Sequence, residues 1–295
     1  MRPGAKVGMM TDRPRPVGEL AAILDGRKAL LCDVWGVVHN GVDHMPAAAR
    51  ALAGARERGV AVVLVTNAPR PAADVIVQLD RFGLPHSAYD RVVTSGDVTR
   101  DMIAEGPRRL FHLGPGRDLG LFAGLDVELV EEFETAGVVC TGLFDDETET
   151  PDDYAEMLQR MRSRNLPMIC ANPDIAVERG ERIVYCGGAL ARAYGQLGGT
   201  VHIAGKPYRP IYDLAVAIAG EIAGHALTRD EILAIGDGVL TDIKGATDAG
   251  IDALYISAGI HAAEYGDRAN PDMERMRAFL ESHGPAPLYT MPVLR

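Results

Sequence analysis

Short apolar segments alternate with segments of helical periodicity along most of the chain. The apolar segments are bounded by Gly or Asn, as buried strands often are. They span residues 28–36, 60–67, 201–207, 231–238 and 252–257. Apolar stripes predict helices over residues 46–59, 69–83 and 207–224. Strands that alternate with helices predict a parallel sheet covered on both faces, which is a doubly wound α/β fold.

The middle of the chain carries a second set of strand-like segments, at residues 109–114, 137–142, 167–172 and 182–186. The acidic segment 145–153 contains Thr150, Pro151 and Asp153, which fit the cap, first turn and third position of a helix. Its acids are therefore interpreted as a solvated loop rather than a cation site. A second α/β unit inserted into the first accounts for the length. The predicted divisions are a core at 1–104 and 201–295 and an insert at 105–200.

The composition is that of a soluble globular protein, with 47% hydrophobic and 24% charged residues among 295. The formal net charge is -11, and no run of Lys or Arg occurs. This balance argues against nucleic acid and anionic membranes as partners. No segment approaches the roughly 20 apolar residues of a membrane span, and residues 1–17 lack the apolar stretch of a signal peptide. We therefore expect a cytoplasmic protein.

The four cysteines are widely separated and form no C-x-x-C pair. They are Cys32, Cys140, Cys170 and Cys186. The first three lie inside apolar segments that are predicted to be strands. This pattern predicts buried free thiols of a reducing compartment rather than disulfides.

Polar residues follow several of the predicted strands, and ligands of a doubly wound sheet bind at the carboxyl ends of its strands. These residues are Asp33, Thr66, Asn67, Lys206, Asp237 and Asp242. We expect them to meet at one edge of one sheet. Three crowded carboxylates would repel one another unless they share a divalent cation, and hard oxygen ligands favour Mg²⁺. A Lys and a hydroxyl beside that metal would bind and orient a phosphoryl group.

Four segments resemble the motifs of the haloacid dehalogenase superfamily. They are Asp33 with Gly36, VTN at 65–67, GKP at 205–207 and GDGVLTD at 236–242. Only 33 residues separate Asp33 from Thr66, whereas 140 separate Thr66 from Lys206. An α/β insert in the longer interval resembles the type 2A cap of the nitrophenyl, phosphoglycolate and pyridoxal phosphatase group. ANPD at 171–174 and the stretch at 186–191 are similar to cap-exit sequences of that group.

The resemblance implies a Rossmann-like core, an inserted cap and a Mg²⁺-dependent phosphohydrolase that acts on a small phosphorylated metabolite. It implies that Asp33 is the nucleophile that forms an aspartyl-phosphate. It also implies that the metal ligands are Asp33, the backbone carbonyl of Trp35, Asp237 and Asp242. The phosphoryl group would be bound by Val34, Trp35, Thr66, Asn67 and Lys206. A homodimer through the cap is a further expectation from the resemblance.

The first motif departs from the pattern of the superfamily's phosphatases, which carry D-x-D. Here the sequence is Asp33-Val34-Trp35, so a Trp stands where the general acid and base is expected. An indole cannot supply a proton near neutral pH, and losing a positioned acid typically costs on the order of 10² to 10⁴-fold in rate. The substrates are therefore activated phosphates, or another group such as His39 or His44 supplies the proton.

Three other interpretations stay open. A dehalogenase also carries an aromatic two positions after the nucleophile, but the GD-x-x-x-TD element and the cap position disagree with it. A catalytically weakened relative could bind a phosphorylated ligand. GPGRDLG at 114–120 is close to a dinucleotide-binding turn, with Glu131, Glu132 or Glu134 at a distance suited to a ribose. Its spacing is one residue too long, so an NAD(P)-binding oxidoreductase is the weakest alternative.

Overall fold

The computed structural model describes residues 14–179, 182–284 and 286–295. Its strands are β1 Arg15–Pro16, β2 Ala29–Asp33, β3 Ala61–Thr66, β4 Arg91–Thr94, β5 Arg109–Leu113, β6 Glu128–Leu129, β7 Gly137–Cys140, β8 Met168–Cys170, β9 Ala176–Arg179, β10 Arg182–Tyr185, β11 Val201–Ile203, β12 Ile232–Gly236, β13 Asp252–Ile256 and β14 Tyr289–Met291. Its α-helices are α1 Pro46–Glu57, α2 Ala72–Arg81, α3 Ser95–Ala104, α4 Ala155–Ser163, α5 Gly187–Gln196, α6 Arg209–Ala223, α7 Lys244–Asp248 and α8 Met273–His283.

A seven-stranded sheet has the order β1-β14-β13-β12-β2-β3-β4. The pairs from β1 to β2 are all parallel. Every residue of β2, β3 and β12 is buried, as the continuous apolar segments predict for strands with both faces covered. The doubly wound α/β fold is confirmed. The predicted helices are present as α1, α2 and α6, and α1 and α2 are followed by glycines with positive φ.

A five-stranded sheet with the order β11-β8-β7-β5-β6 is parallel throughout. Its β5, β7 and β8 match the predicted strands of the middle segment. The strand predicted at 201–207 differs, because β11 is limited to Val201–Ile203 and pairs with β8 in this sheet. The side chain of His202 is exposed, so this short segment serves as an edge strand rather than a buried central strand. Packing explains the change, since β8 is fully buried and β11 covers its open edge.

The remaining predicted strand, 182–186, forms β10 of an antiparallel hairpin with β9. The predicted helix start at Thr150 is correct. Thr150 and Asp153 form a reciprocal capping box, and Pro151 occupies the first turn. The turn that follows leads directly into α4.

Two compact units divide the chain. The described part of the first comprises residues 14–64, 84–91, 215–284 and 286–295. The described part of the second comprises residues 65–83, 92–179 and 182–214 and contains the five-stranded sheet. The core and insert boundaries at 104/105 and 200/201 stay predictions.

The four cysteines are buried thiols rather than disulfides, as the sequence predicts. Burial raises the pKa of the Cys140 thiol to about 12. No helix of the described residues is both long and apolar enough to cross a membrane. The prediction about a signal peptide rests largely on residues 1–13, which lie outside the described residues.

Candidate functional site

Asp33 is the last residue of β2, next to β12 in the middle of the seven-stranded sheet. Its neighbours in β2 are apolar and fully buried, so the strand delivers a carboxylate at the point where regular pairing ends. Only 7% of Asp33 is exposed. A buried carboxylate at a strand end requires compensating partners, and it is suited to binding a ligand there.

Asp237 and Asp242 follow β12 on the turn that leads into α7. The Ile260 N–H donates to Asp237 Oδ2 at 3.0 Å, and the Gly238 N–H donates to Asp242 Oδ2 at 3.0 Å. Both carboxylates are buried. Each of these two acids and Asp33 offers an oxygen, and the three oxygens lie within 4.8 Å of one another. The structure therefore brings together the three carboxylates that the sequence singles out.

This set of donors fits Mg²⁺. Three buried carboxylates at this separation supply hard oxygen ligands, and a divalent cation would offset their mutual repulsion. Among the described residues, this group contains no cysteine or histidine, which are the ligands that favour zinc. Mg²⁺ demands few protein ligands because it keeps several of its waters.

Gly36 is required beside this cluster for two reasons. Its φ is +81°, in the left-handed region that favours glycine. A Cβ at this position would also overlap the Asp237 carboxylate. Gly36 therefore allows the chain that follows Asp33 to turn tightly against Asp237.

Trp35 lies half-buried directly after the first motif's Val34. Its ring contacts that of His39 edge to face, with 5.0 Å between the centroids. The Gly41 N–H donates to Nδ1 of His39 at 3.0 Å, which places the proton of the neutral ring on Nε2. The side chain of Val34 is buried, and the backbone carbonyl of Val34 accepts a hydrogen bond from the Val38 N–H. His44 is half-buried. The suggestion that His39 or His44 supplies the proton to the leaving group stays a hypothesis.

Thr66, Asn67 and Lys206 belong to the second unit. Thr66 ends β3, and its hydroxyl accepts from the Ala68 N–H at 3.2 Å. Asn67 Oδ1 accepts from the Lys206 N–H at 2.7 Å, although the two residues are 139 positions apart. The Lys206 ammonium donates to the Val65 carbonyl at 3.1 Å. Lys206 follows β11 of the five-stranded sheet, so the expectation that all candidates follow strands of one sheet is wrong for this residue.

Sequence reasoning missed Asp174 as a member of this network. Asn67 Nδ2 donates to Asp174 Oδ1 at 2.8 Å. The signal was present, because Asn172, Pro173 and Asp174 are polar or turn residues directly after a buried strand. The segment was interpreted only as a cap-exit sequence.

Gly205 lies directly against the Asn67 side chain. A Cβ on Gly205 would overlap the Asn67 amide oxygen and would lie 2.8 Å from Ser95 Oγ. Ser95 is fully buried, and its hydroxyl has no hydrogen-bond partner among the described residues. The GKP motif therefore has glycine at position 205 because there is no room there for a side chain.

A polar group in the second unit surrounds Asp118, within the GPGRDLG segment. Burial raises the pKa of Asp118 to about 6, against the opposing charges of Arg117 and Arg70 and a hydrogen bond from Thr141. His112 Nε2 lies 2.9 Å from the Thr141 hydroxyl, and burial lowers the pKa of His112 to about 4. The segment continues as a 3₁₀ turn over Gly116–Phe122 rather than an α-helix. It therefore lacks the helix N-terminus that a dinucleotide-binding turn presents to pyrophosphate.

Two acids of segment 145–153 are paired with arginines. Arg117 and Arg179 both pair with Asp146, and Arg179 and Arg182 both pair with Glu147. The capping box agrees with the predicted helix start, but the Asp146 side chain is only 9% exposed, so this acid is held by arginines rather than solvated.

Two family models match this chain. Residues 30–128 match a model described as haloacid dehalogenase-like hydrolase. Residues 203–278 match one described as HAD-hydrolase-like. The two matches contain the candidate residues on both sides of the middle segment.

Solved and curated relatives extend the comparison. A crystal structure of a haloacid dehalogenase-like hydrolase from Brucella suis 1330 superposes on this chain with a TM-score of 0.86 and 58% sequence identity. The match covers 95% of this chain and 100% of that one. A 5'-nucleotidase of Bacillus subtilis (strain 168) is 25% identical over 86% of this chain and 95% of that protein. The crystal structure of a Mycobacterium tuberculosis glycerol phosphate phosphatase in complex with magnesium is 26% identical, with a TM-score of 0.61, over 81% of this chain and 70% of that one.

Proposed function

The chain belongs to the haloacid dehalogenase-like hydrolases of subfamily IIA, and on that premise we propose that it is a Mg²⁺-dependent phosphatase of small phosphorylated metabolites. Membership confirms the resemblance carried by the four motifs and makes the chain a phosphatase-type hydrolase. The proposal concerns its metal, its nucleophile and its substrates. The observation that carries it is the cluster of three buried carboxylates, with Asp33 at the end of β2.

In the proposed reaction, the Asp33 carboxylate attacks phosphorus and forms an aspartyl-phosphate, while the bond to the leaving oxygen breaks and that oxygen takes the electron pair. Water then attacks the phosphorus, which releases inorganic phosphate and the free carboxylate. When bound, Mg²⁺ would offset the charge of the carboxylates and polarise the phosphoryl group. Asp237 and Asp242 would hold it in a fixed position, because backbone N–H groups orient both carboxylates.

We assign the phosphoryl oxygens to Thr66, Asn67 and Lys206 because these residues occupy the corresponding family motifs. Their charge-assisted hydrogen bonds would strengthen as charge develops in the transition state. The Val34 and Trp35 backbone would complete the set, with the Trp35 carbonyl as a further metal ligand. A cytoplasmic location and a homodimer through the cap stay predictions.

Trp35 limits the proposed substrates. The indole beside His39 supplies no acidic proton, so an alkoxide leaving group would depart without the usual help. Acyl phosphates, phosphoanhydrides and aryl phosphates leave more readily unaided. We therefore propose activated phosphates as the preferred class. The same substitution favours a second candidate, which is binding of a phosphorylated ligand with little turnover.

A phosphate-release screen tests both candidates. The panel contains alkyl and aryl phosphomonoesters, a phosphoanhydride and acetyl phosphate, each with Mg²⁺ and with EDTA. We expect Mg²⁺-dependent release that is faster from acetyl and nitrophenyl phosphate than from alkyl esters. No release from any compound, together with Mg²⁺-dependent binding of phosphate, would favour the second candidate.

A further inference from the structure

We infer that Asp174 is a positioning residue whose carboxylate fixes the Asn67 amide and, through it, the backbone of Lys206. The inference rests on the proposed function, because it assumes that Asn67 and Lys206 bind the phosphoryl group. All three residues belong to the second unit. The residue acts through Asn67 and has no assigned contact with substrate.

The Asn67 amide has only one orientation that satisfies its neighbours. Its oxygen accepts from the Lys206 N–H at 2.7 Å, and its Nδ2 donates to Asp174 Oδ1 at 2.8 Å and to the Lys206 carbonyl at 3.3 Å. Turning the amide by 180° would place two donors opposite each other and two acceptors opposite each other. Asp174 therefore reinforces the orientation that the Lys206 N–H and carbonyl favour, in which Asn67 forms hydrogen bonds with both groups of the Lys206 backbone.

Asp174 is itself held rigidly. Its N–H donates to Asn172 Oδ1 at 3.3 Å, and its carbonyl accepts from the Gly188 N–H at 3.1 Å. Gly188 lies in the first turn of α5, and a Cβ there would overlap the Pro173 carbonyl. The carboxylate thus projects from a segment pinned to a helix, as a group that orients another side chain requires.

Asn67 and Lys206 are each only 3% exposed, so water cannot readily replace a lost partner. A buried amide that loses its acceptor retains an unsatisfied N–H, which costs free energy until the side chain rotates. Rotation would also release the Lys206 backbone. Because small displacements of positioning groups can lower rates on the order of 10²-fold, the effect should be larger on kcat than on KM.

The first test compares Asp174→Ala with Asp174→Asn in the full chain with Mg²⁺ and acetyl phosphate. The Asn variant keeps an oxygen that can accept from Asn67, whereas the Ala variant does not. We expect Ala to lower kcat about 10- to 100-fold with a smaller change in KM, and Asn to restore most of the loss. The matched controls are Asp126→Ala and Asp126→Asn, because Asp126 is an exposed acid of the same unit.

A second test does not depend on turnover. Asn67→Asp would place a carboxylate opposite Asp174, whereas Asn67→Asp with Asp174→Asn restores a donor opposite an acceptor. We expect the double variant to bind inorganic phosphate more tightly by calorimetry than the Asn67→Asp single variant does. Such a gain is a coupling between the two positions that a general loss of stability does not produce.

The outcomes separate this inference from the proposed function. An active wild-type protein with an Ala variant of equal kcat would overturn the inference alone. Equal losses in the Ala and Asn variants, or no gain in the double variant, would also overturn it. A wild-type protein that neither releases nor binds phosphate with Mg²⁺ would overturn both.

Discussion

The carboxylate cluster of the first unit and the Asn67 network of the second are both buried, but they differ in how their charges are balanced. Asp33, Asp237 and Asp242 carry charges of one sign within 4.8 Å. The network instead joins the Lys206 backbone to the Asp174 carboxylate through an amide that both accepts and donates. Its partners come from the protein itself.

From this difference we predict which of the two regions depends on a ligand. Backbone N–H groups donate to Asp237 and Asp242, and three carboxylates this close still repel one another through their like charges. The network satisfies its hydrogen bonds with residues distant in sequence, so it can form before any ligand binds. We expect bound Mg²⁺ to stabilise the carboxylate cluster. We expect phosphate to bind at the Asn67 network without having to order it first.

The largest expected effect comes from placing a carboxylate at position 35. Trp35→Asp restores the acid that family phosphatases carry at this position. We expect turnover of alkyl phosphates to rise relative to aryl phosphates, by up to about 10² to 10⁴-fold, because a positioned acid protonates the alkoxide. Steady-state kinetics on one alkyl and one aryl ester would measure the ratio.

Trp35→Phe is the control for this variant, because it removes the indole without adding an acid. Its ratio of alkyl to aryl turnover should match the wild-type value. A Trp35→Asp variant with an unchanged ratio would mean that another group already supplies the proton, and His39 would then be examined first because its ring contacts Trp35.

The sequence predicts one of the compared regions better than the other. Asp33 and Asp237 were found because each follows a long apolar segment, and strand ends are where ligands bind. Asp174 was missed because, although it also follows a buried strand, its partner Asn67 lies 107 positions away and no sequence pattern connects the two residues.

The error at residues 201–207 has a similar cause. The short segment Val201–Ile203 fits either sheet, and only the edge of β8 that β7 leaves unpaired decides where β11 pairs. Local patterns thus predict where strands lie, whereas the choice of partner depends on contacts distant in sequence.

The second prediction concerns metal-linked stability. Binding of Mg²⁺ at 100 times its Kd should raise the free energy of unfolding by about 2.7 kcal/mol. Asp237→Asn should remove most of that gain, because it removes a ligand, and should make the metal-free protein more stable by relieving repulsion. Thermal unfolding with Mg²⁺ and with EDTA would measure both changes.

Asp25→Asn is the matched control, because Asp25 is an exposed acid of the same unit. It should leave the response to Mg²⁺ intact. An Asp237→Asn protein with the wild-type response would show that this carboxylate is no ligand.

The smallest effect concerns a buried carboxyl and a half-buried imidazole of the second unit, Asp118 and His112, whose titrations oppose each other. Asp118 has a pKa raised to about 6, so its native form loses stability as pH rises from about 4 to 6. His112 has a pKa lowered to about 4, so its native form loses stability as pH falls from about 6.5 to 4. In the wild type the two slopes offset each other over this range.

Substituting each group separately should expose the slope of the other. Asp118→Asn should make stability fall more steeply below pH 6, and His112→Gln should make it fall as pH rises toward 6. The change should be on the order of 1–2 kcal/mol, allowing for partial solvent screening, and urea unfolding between pH 4 and 7 would measure it. Identical pH profiles for both variants and the wild type would contradict the opposing titrations.

The central claim is that Asp33 performs nucleophilic catalysis beside a bound Mg²⁺. The most direct measurement is phosphate release from acetyl phosphate by the wild type and Asp33→Asn across a Mg²⁺ titration. We predict wild-type release that saturates with Mg²⁺ and stops with EDTA, and a folded variant slower by about 10³-fold or more. A folded Asp33→Asn protein that releases phosphate at the wild-type rate would contradict the account.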